Sequence, residues 1–449
     1  MFPMPSPTRL LVCRIGIVVF CLLPTATVGG WIAQRTSGQF AIAQRAEWER
    51  ELTGRLGFKV EIGSVSYPSH SLATLEGVRL HDPETHALIA QAGLIEVAHA
   101  EDGWQVQAWQ PRIAAGRLTY ILRTIDERLL RTASAGESQI AISARELLVE
   151  DQHTGLSLVN VTAQFDSTPQ GPAAELRFQP PSAAAPISLI IARNRQGSAP
   201  ITVWQLDTGT SALPVELLAA AAPQAGRLGS NCRFAGQIAL EDSAGKLSGQ
   251  WSGTLTEVDL DSLVTEHFPH QLSGLATVKI ERATLNRGKL TEIRGTVQAR
   301  DGAISHSLLT AAQEHLQLEL ASENPSIQPG RAVAYRQLSL GFAISERGLS
   351  LTGSADPTQP GVLLANAAGP LLTAPPQHAA PPTSLLRALL PDNEYQVPAT
   401  RQTDALVSLL PVPDLAPAQT ARRGDNHTPT RLAPATSGGT RAIRQPVVR

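Results

Sequence analysis

The stretch "ELTGRLGFKVEIGSVSYPSHSLATLEGVRLHDP", residues 51–83, decides the fold class. Its opening residues close a helix that Phe40, Ala43, Trp48, Leu52 and Leu56 trace along one face of 38–56. Gly57 stops that helix in the manner of a C-terminal glycine cap. The period then drops to two: Phe58, Val60 and Ile62 point one way, Lys59 and Glu61 the other. "GSVSYPSH" supplies a bend, and "LATLEGVRLHDPET" a second strand closed by an Asp-Pro turn.

The same alternation recurs far beyond this stretch. Ile95 and Val97, then Trp104, Val106 and Ala108, then Val159, Val161, Ala163 and Phe165 each mark one apolar face. Further on come Ala276, Val278 and Ile280, then Ile293, Val297 and Ala299, then Leu316, Leu318 and Leu320, and lastly Leu338, Leu340, Phe342 and Ile344. Runs with one apolar and one polar face predict antiparallel strands; a parallel sheet covered on both sides gives continuous apolar runs. Helices are few. "GRLTYILRTIDERLL" (116–130) puts Leu118, Ile121, Leu122, Ile125 and Leu129 on one stripe with arginines opposite, and "LPVELLAAAA", "DLDSLVTEHF" and "ISHSLLTAAQ" are shorter candidates. The segments starting at Gly245 and Gly288 share a Gly-Lys-Leu opening, which reads either as an irregular β-repeat or as two hairpins with similar turns.

Composition excludes several functions. A net charge of −2 gives no reason to expect nucleic acid as a partner. Cys13 and Cys21 lie in the N-terminal apolar region, so Cys232 has no partner for a disulfide framework and reads as a buried structural thiol. From Ile15 to Gln34 the chain carries no charge, and as a helix these twenty residues reach about 30 Å, enough to cross a bilayer core. Arg9 and Arg14 before the run favour keeping that side in the cytoplasm. Ile15, Val18, Val19, Phe20, Leu22, Leu23 and Trp31 are the expected anchor residues; the alternative is a cleaved signal peptide ending near "TATVGG". Both readings export the body.

After about Asp356 the chain turns rich in Pro, Ala and Thr, and 356–449 is expected to be a disordered tail, with "TSLLRALL" as a small docking helix in the alternative. The expected divisions are 1–36, a cytoplasmic stub and anchor; 37–235, a β region with amphipathic helices; 236–355, a second β region; and the tail.

Chemistry has little to stand on. "HDPETH" gathers His81, Asp82, Glu84 and His86, and "EHFPH" gathers Glu266, His267 and His270, but both sit at turns and read as solvated residues rather than metal ligands. No nucleophile elbow, zinc-binding helix motif or phosphate loop occurs. Glu150-Asp151, Asp259 and Asp261 read as strand ends and helix caps. Catalytic residues, metals and cofactors are therefore not expected, and neither is an enzyme.

The order of parts resembles the AsmA family. An N-terminal anchor, a helix and "LGFKVEIGSVSYPSHSLATLEGVRLHDPETHALIAQAGLIEVA" are similar to that family's opening. "GTLTEVDLDSLVTEHFPHQLSGLATVKIERATLNRGKLTEIRGTVQARDGAISHSLLTAA" is similar to its C-terminal region at Asp259, Leu260, Leu263, Leu272, Gly274, Gly288, Gly295, Asp301 and Gly302. The resemblance covers roughly 10–110 and 235–320; the chain departs from it in being short and in its Pro-rich tail. It implies inner-membrane anchoring with the body in the periplasm, a part in cell-envelope or outer-membrane assembly, and phospholipid as partner, with envelope assembly proteins as further possible partners. The fold it implies is an elongated, curved antiparallel sheet, a groove or half-barrel whose apolar face is buried against itself or against lipid. Val278, Ile280, Ile293, Val297, Leu338 and Leu340 are the expected groove lining. The rival expectation is an exported structural β scaffold that carries no lipid.

Overall fold

A computed structural model describes residues 38–390 apart from 101–102, 132–138, 151–154, 182, 184, 198, 220–222 and 322–323, together with 19–20, 24–25 and 27–28. Of the expected anchor, Ile15, Val18, Leu22, Leu23 and Trp31 lie outside the described residues, while Val19 and Phe20 are exposed. Among the described residues no helix is long and apolar enough to cross a membrane.

The first helix, α1 (Gly38–Leu56), ends where Gly57 adopts φ 74° and donates its N–H to the Thr53 carbonyl at 2.9 Å. Trp48, Leu52 and Leu56 on α1 pack over Val60, Ile62, Leu75 and Val78. The chain then folds into one mainly β sheet. Strands β1 (Lys59–Glu61) and β2 (Ser64–Ser69) both pair with β3 (Leu72–His81), and β4 (Leu88–Ala100) pairs with β3 on its other side. Next to β4 lie β5 (Gly103–Trp109) and β6 (Arg112–Ala114). A helical segment follows, made of a 3-10 turn (Ala115–Arg117), α2 (Leu118–Thr124) and a π-helical turn (Ile125–Leu130).

This segment is a crossover. Strand β7 (Gln139–Glu150) runs parallel to β5 and β6, which corrects the expectation of an antiparallel sheet throughout. Parallel neighbours need a long connection that leaves the sheet, and here it is helical. From β7 the ladders are antiparallel and take the strands almost in chain order: β8 (Gly155–Thr168), β9 (Gly171–Gln179), β10 (Ile187–Asn194) and β11 (Ile201–Asp207). Strands β11 and β12 (Leu213–Pro214) share one side of β13 (Arg233–Ser243), with α3 (Val215–Ala219) between β12 and β13 in the chain. Then come β14 (Lys246–Asp259), β15 (Leu275–Asn286), β16 (Lys289–Ser305) and, after helix α4 (His306–Leu316), β18 (Ala332–Ser345). Strands β19 (Gly348–Gly353) and β20 (Val362–Asn366) both pair with β18, β21 (Gly369–Thr373) pairs with β20, and β17 (Glu319–Leu320) ends the row on β21. Among the described residues no ladder joins β17 to β1 or β2.

The two Gly-Lys-Leu segments prove to be hairpins with similar turns. Ala244-Gly245 and Arg287-Gly288 all have positive φ, the two-residue turn that matches the twist of paired strands. The run at Leu316, Leu318 and Leu320 is not one strand: Gln317 adopts φ 56° and ends α4, so strand begins only at Glu319.

The expected tail boundary at 356 is also corrected. Residues 356–390 contain β20, β21 and helix α5 (Thr383–Leu389), the docking helix that "TSLLRALL" hinted at. Leu363, Leu364 and Leu371 are at most 1% exposed and share a core with Leu309, Leu316 and Ala388. His378 fastens the connecting turn: its Nδ1 accepts from the Leu351 N–H while Nε2 faces the Leu316 carbonyl. Residues 391–449 of the expected tail lie outside the described residues.

The glycines of the "GLATVK…RDGAI" pattern have a packing role. The Tyr335 hydroxyl donates to the Ser273 carbonyl at 2.7 Å. A Cβ at Gly302 would sit 2.4 Å from that hydroxyl oxygen and one at Gly274 2.7 Å from it.

Candidate functional site

Residues directly opposite on neighbouring strands point to the same face, so the ladder registers map each face of the sheet. Val97 on β4 stands opposite Val106 on β5, and the row continues through Ile142, Ala163, Leu176 and Leu189 on β7 to β10. It runs on without a polar residue through Leu206, Ile238, Trp251, Ala283, Ile293 and Ile344 as far as β18. Two residues along each strand, a second row holds Trp104, Ile140, Phe165, Ala174, Ile191 and Trp204. One residue over, on the other face, Glu96, Gln107, Ser143, Thr162, Arg177 and Ser188 form a wholly polar row. The sheet therefore carries a continuous apolar strip perpendicular to its strands and a hydrophilic reverse.

Much of the strip is only half-buried. Val97, Val106, Ile142, Ala163, Leu176 and Leu189 all fall in that class. Helices cover parts of it: α1 lies at the β3–β4 end, and α3, α4 and α5 lie at the other.

The expected lining residues occupy this same face near the second end. Val278, Val297 and Leu340 stand in one cross-strand row, Ile280 faces Gly295, Leu338 pairs with Ala299, and Ile293 belongs to the long row. All six are half-buried, and all but Ile280 pack against the C-terminal core. Lys279 pairs with Thr296 on the reverse.

The crossover segment lies over the middle of the strip. Leu122, Ile125 and Leu130 pack on Phe165, Ala174, Leu189, Ile191 and Trp204. Leu130, at the end of the π turn, is buried in this cluster. One buried carboxylate organises the polar contacts. Asp126, 6% exposed, accepts from Arg131 Nη2 at 2.9 Å and Nε at 3.2 Å, and from the Thr202 hydroxyl at 3.1 Å. Arg193 Nη1 donates to Thr202 Oγ1 at 2.6 Å and lies 4.0 Å from Asp126, and Arg195 Nη2 donates to the Leu130 carbonyl at 2.7 Å and the Arg131 carbonyl at 3.1 Å.

The "HDPETH" turn is more than a solvated loop. Asp82 is buried, accepts from the Glu84 and Thr85 amides at 3.0 and 3.3 Å, and reaches Arg117 of the crossover at 3.4 Å. Those amides, with Arg117, hold its carboxyl below the usual range. His270 is buried as well, its Nδ1 3.0 Å from the Ser307 hydroxyl, and burial pushes its pKa down. Among the described residues no group of three or more His, Cys, Asp and Glu could hold a metal ion. Asp259 accepts from the Asp261 amide at 3.0 Å and the Ser262 hydroxyl at 3.1 Å, a capping arrangement. Glu150 pairs with Arg112 at 3.2 Å. Cys232 is buried, and its thiol is pushed up to about 11, chiefly by burial.

No protein-family profile, curated protein or solved structure matches the chain.

What sequence reasoning missed was the crossover's fastening. Asp126, Arg131, Thr202, Arg193 and Arg195 come from three separate segments, and their only local signal is an acid inside an apolar helix stripe.

Proposed function

We propose that the protein is an AsmA-like, inner-membrane-anchored component of the cell envelope that holds phospholipid acyl chains along the apolar strip, with its body in the periplasm. The observation that carries this is the strip itself: unbroken from β4 to β18, half-buried from β4 to β10, and backed there by a polar face. A half-buried apolar band of that extent needs something apolar to cover it.

The contacts of the crossover support a curled sheet around that band. On one side of the helix, the Phe58 and Tyr120 rings lie 5.7 Å apart, and a Cβ at Gly57 would meet Arg128 Nε at 3.1 Å. On the other side, Leu130 packs on β9 and β10. Along the sheet, β1–β3–β4–β5–β7–β8–β9–β10 makes seven steps, about 34 Å at ~4.8 Å each. A helix ~10 Å wide bridges both ends of that path only if the sheet bends round it. The inner face of such a bend is the apolar one, the geometry of a groove.

Photo-crosslinkable residues at Val278, Val297 and Leu340, with Lys279 on the reverse as control, test the reading in cells. The expected result is capture of phospholipid from the three apolar positions and none from 279. Equal, lipid-free yields at all four would leave the second reading, an exported rigid scaffold. The tightly packed core around Leu309, Leu364 and Leu371 favours that second reading at the C-terminal end.

A further inference from the structure

We propose that the crossover segment is a lid over an acyl-chain site, floored by Phe165, Ala174, Ile191 and Trp204 and closed by Leu122, Ile125 and Leu130. The proposal rests on the lipid reading for the identity of the chain, but its mechanical part stands on the contacts alone.

The segment is held differently from the other helices. Helix α4 contributes Leu309, Ala312 and Leu316 to the large C-terminal core. The crossover closes a small cluster in which only Leu130, Ala174 and Ile191 are fully buried. Its grip on the sheet depends on polar ties: the Thr202 hydroxyl to Asp126, the Arg195 guanidinium to the Leu130 and Arg131 carbonyls, and Arg117 to Asp82.

Those ties release with the buried Asp126 carboxylate still paired. Removing one partner of a buried ion pair is costly because the other is left uncompensated. Here Arg131, which donates twice to Asp126, sits on the same segment and moves with it. Thr202 keeps its bond from Arg193 on the sheet. Lifting the segment opens the hydroxyl bond, the two carbonyl bonds, the 4.0 Å approach of Arg193 to Asp126 and the Arg117–Asp82 pair, while Asp126 keeps Arg131 and Arg193 keeps Thr202. Beneath, the aliphatic and aromatic floor is left needing apolar cover. An acyl chain supplies methylenes in place of three aliphatic side chains, an exchange of like for like. The π turn under Ile125–Leu130 is the part of the segment where helical hydrogen bonding is already irregular.

The test places a thiol under the lid. Ala174→Cys, in the full chain with Cys13 and Cys21 replaced by Ser, is followed by maleimide labelling. The native Cys232 lies in the separate C-terminal core and reports any general loosening. With Asp126→Ala, and separately with the milder Arg195→Ala, labelling at 174 should rise about tenfold while Cys232 stays unreactive. Cis-parinaric acid, a fluorescent acyl chain, should bind the Asp126→Ala protein more tightly and protect position 174. Unchanged labelling at 174, or equal acceleration at 174 and 232, overturns the lid. Faster labelling that parinarate does not slow overturns the acyl-chain site. Protection at 174 in a protein whose positions 278, 297 and 340 capture no lipid upholds the lid site and removes the long groove instead.

Discussion

Ser273 receives the Tyr335 hydroxyl because two glycines leave room for the ring, and that contact ties β15, β16 and β18 together at their ends. Gly302→Ala should therefore destabilise the protein by about 1–3 kcal/mol, since the new methyl meets backbone and ring atoms rather than a movable chain end; chemical denaturation measures it. The glycine was visible in the sequence, but its reason was not, because Tyr335 lies far along the chain. Cys232 gives a second expectation. Its thiol titrates at the ordinary 9.0 when unfolded and about 11 when folded, so the unfolded state loses its proton first as pH rises. Stability should decline between those values by on the order of 2–3 kcal/mol from this group, and Cys232→Ala should flatten that decline. Tyr335, pushed up to about 12 by burial, adds a loss of the same sign at still higher pH. A lone cysteine with no disulfide partner in the body was enough to read burial. The π turn at Ile125–Leu130 was not readable, since such a turn is set by what lies beneath it.

Strands β20 and β21 show where element-level reading runs out. "VLLAN" and "GPLLT" have no alternation, because covering on both faces removes the polar half of the pattern. Among prolines and alanines such short runs looked like linker. Removing residues 356 onward should cost the C-terminal core its Leu363, Leu364 and Leu371, each worth about 2–5 kcal/mol even as a single truncation to Ala. Unfolding of that shortened chain, followed by circular dichroism, should show loss of the cooperative transition or a fall in midpoint of many degrees. The alternating strands were legible for the opposite reason: one face meets water, so the period survives in the residues themselves, as in Val278–Ile280 and Leu338–Ile344. Direction was not legible. Alternation says how many faces of β5 and β7 are covered, and says nothing of whether the two run parallel.

Across the whole molecule, the apolar strip was foreshadowed in pieces but not as a line, since only register aligns Val97 with Ile142 and Ile142 with Leu176. The lining residues named from the sequence all fall on β15, β16 and β18; the alternation on β4, β5 and β8 was legible too, but not that these strands join the same apolar row. The near-sequential order of the ladders bears on the making of the chain. Synthesis releases the N-terminus first, so nearly every strand appears when its partner is already in place and can join at once. Closure of each hairpin spans few residues, which keeps the search short despite the size of the sheet. The corollary is that a half-made chain always ends in a fresh, unpaired edge, the feature that invites misassembly with another nascent copy. Strand β17 waits longest among the described strands: Glu319 finds its partner only once Thr373 is made, so the growing edge is capped when almost the whole folded body is present.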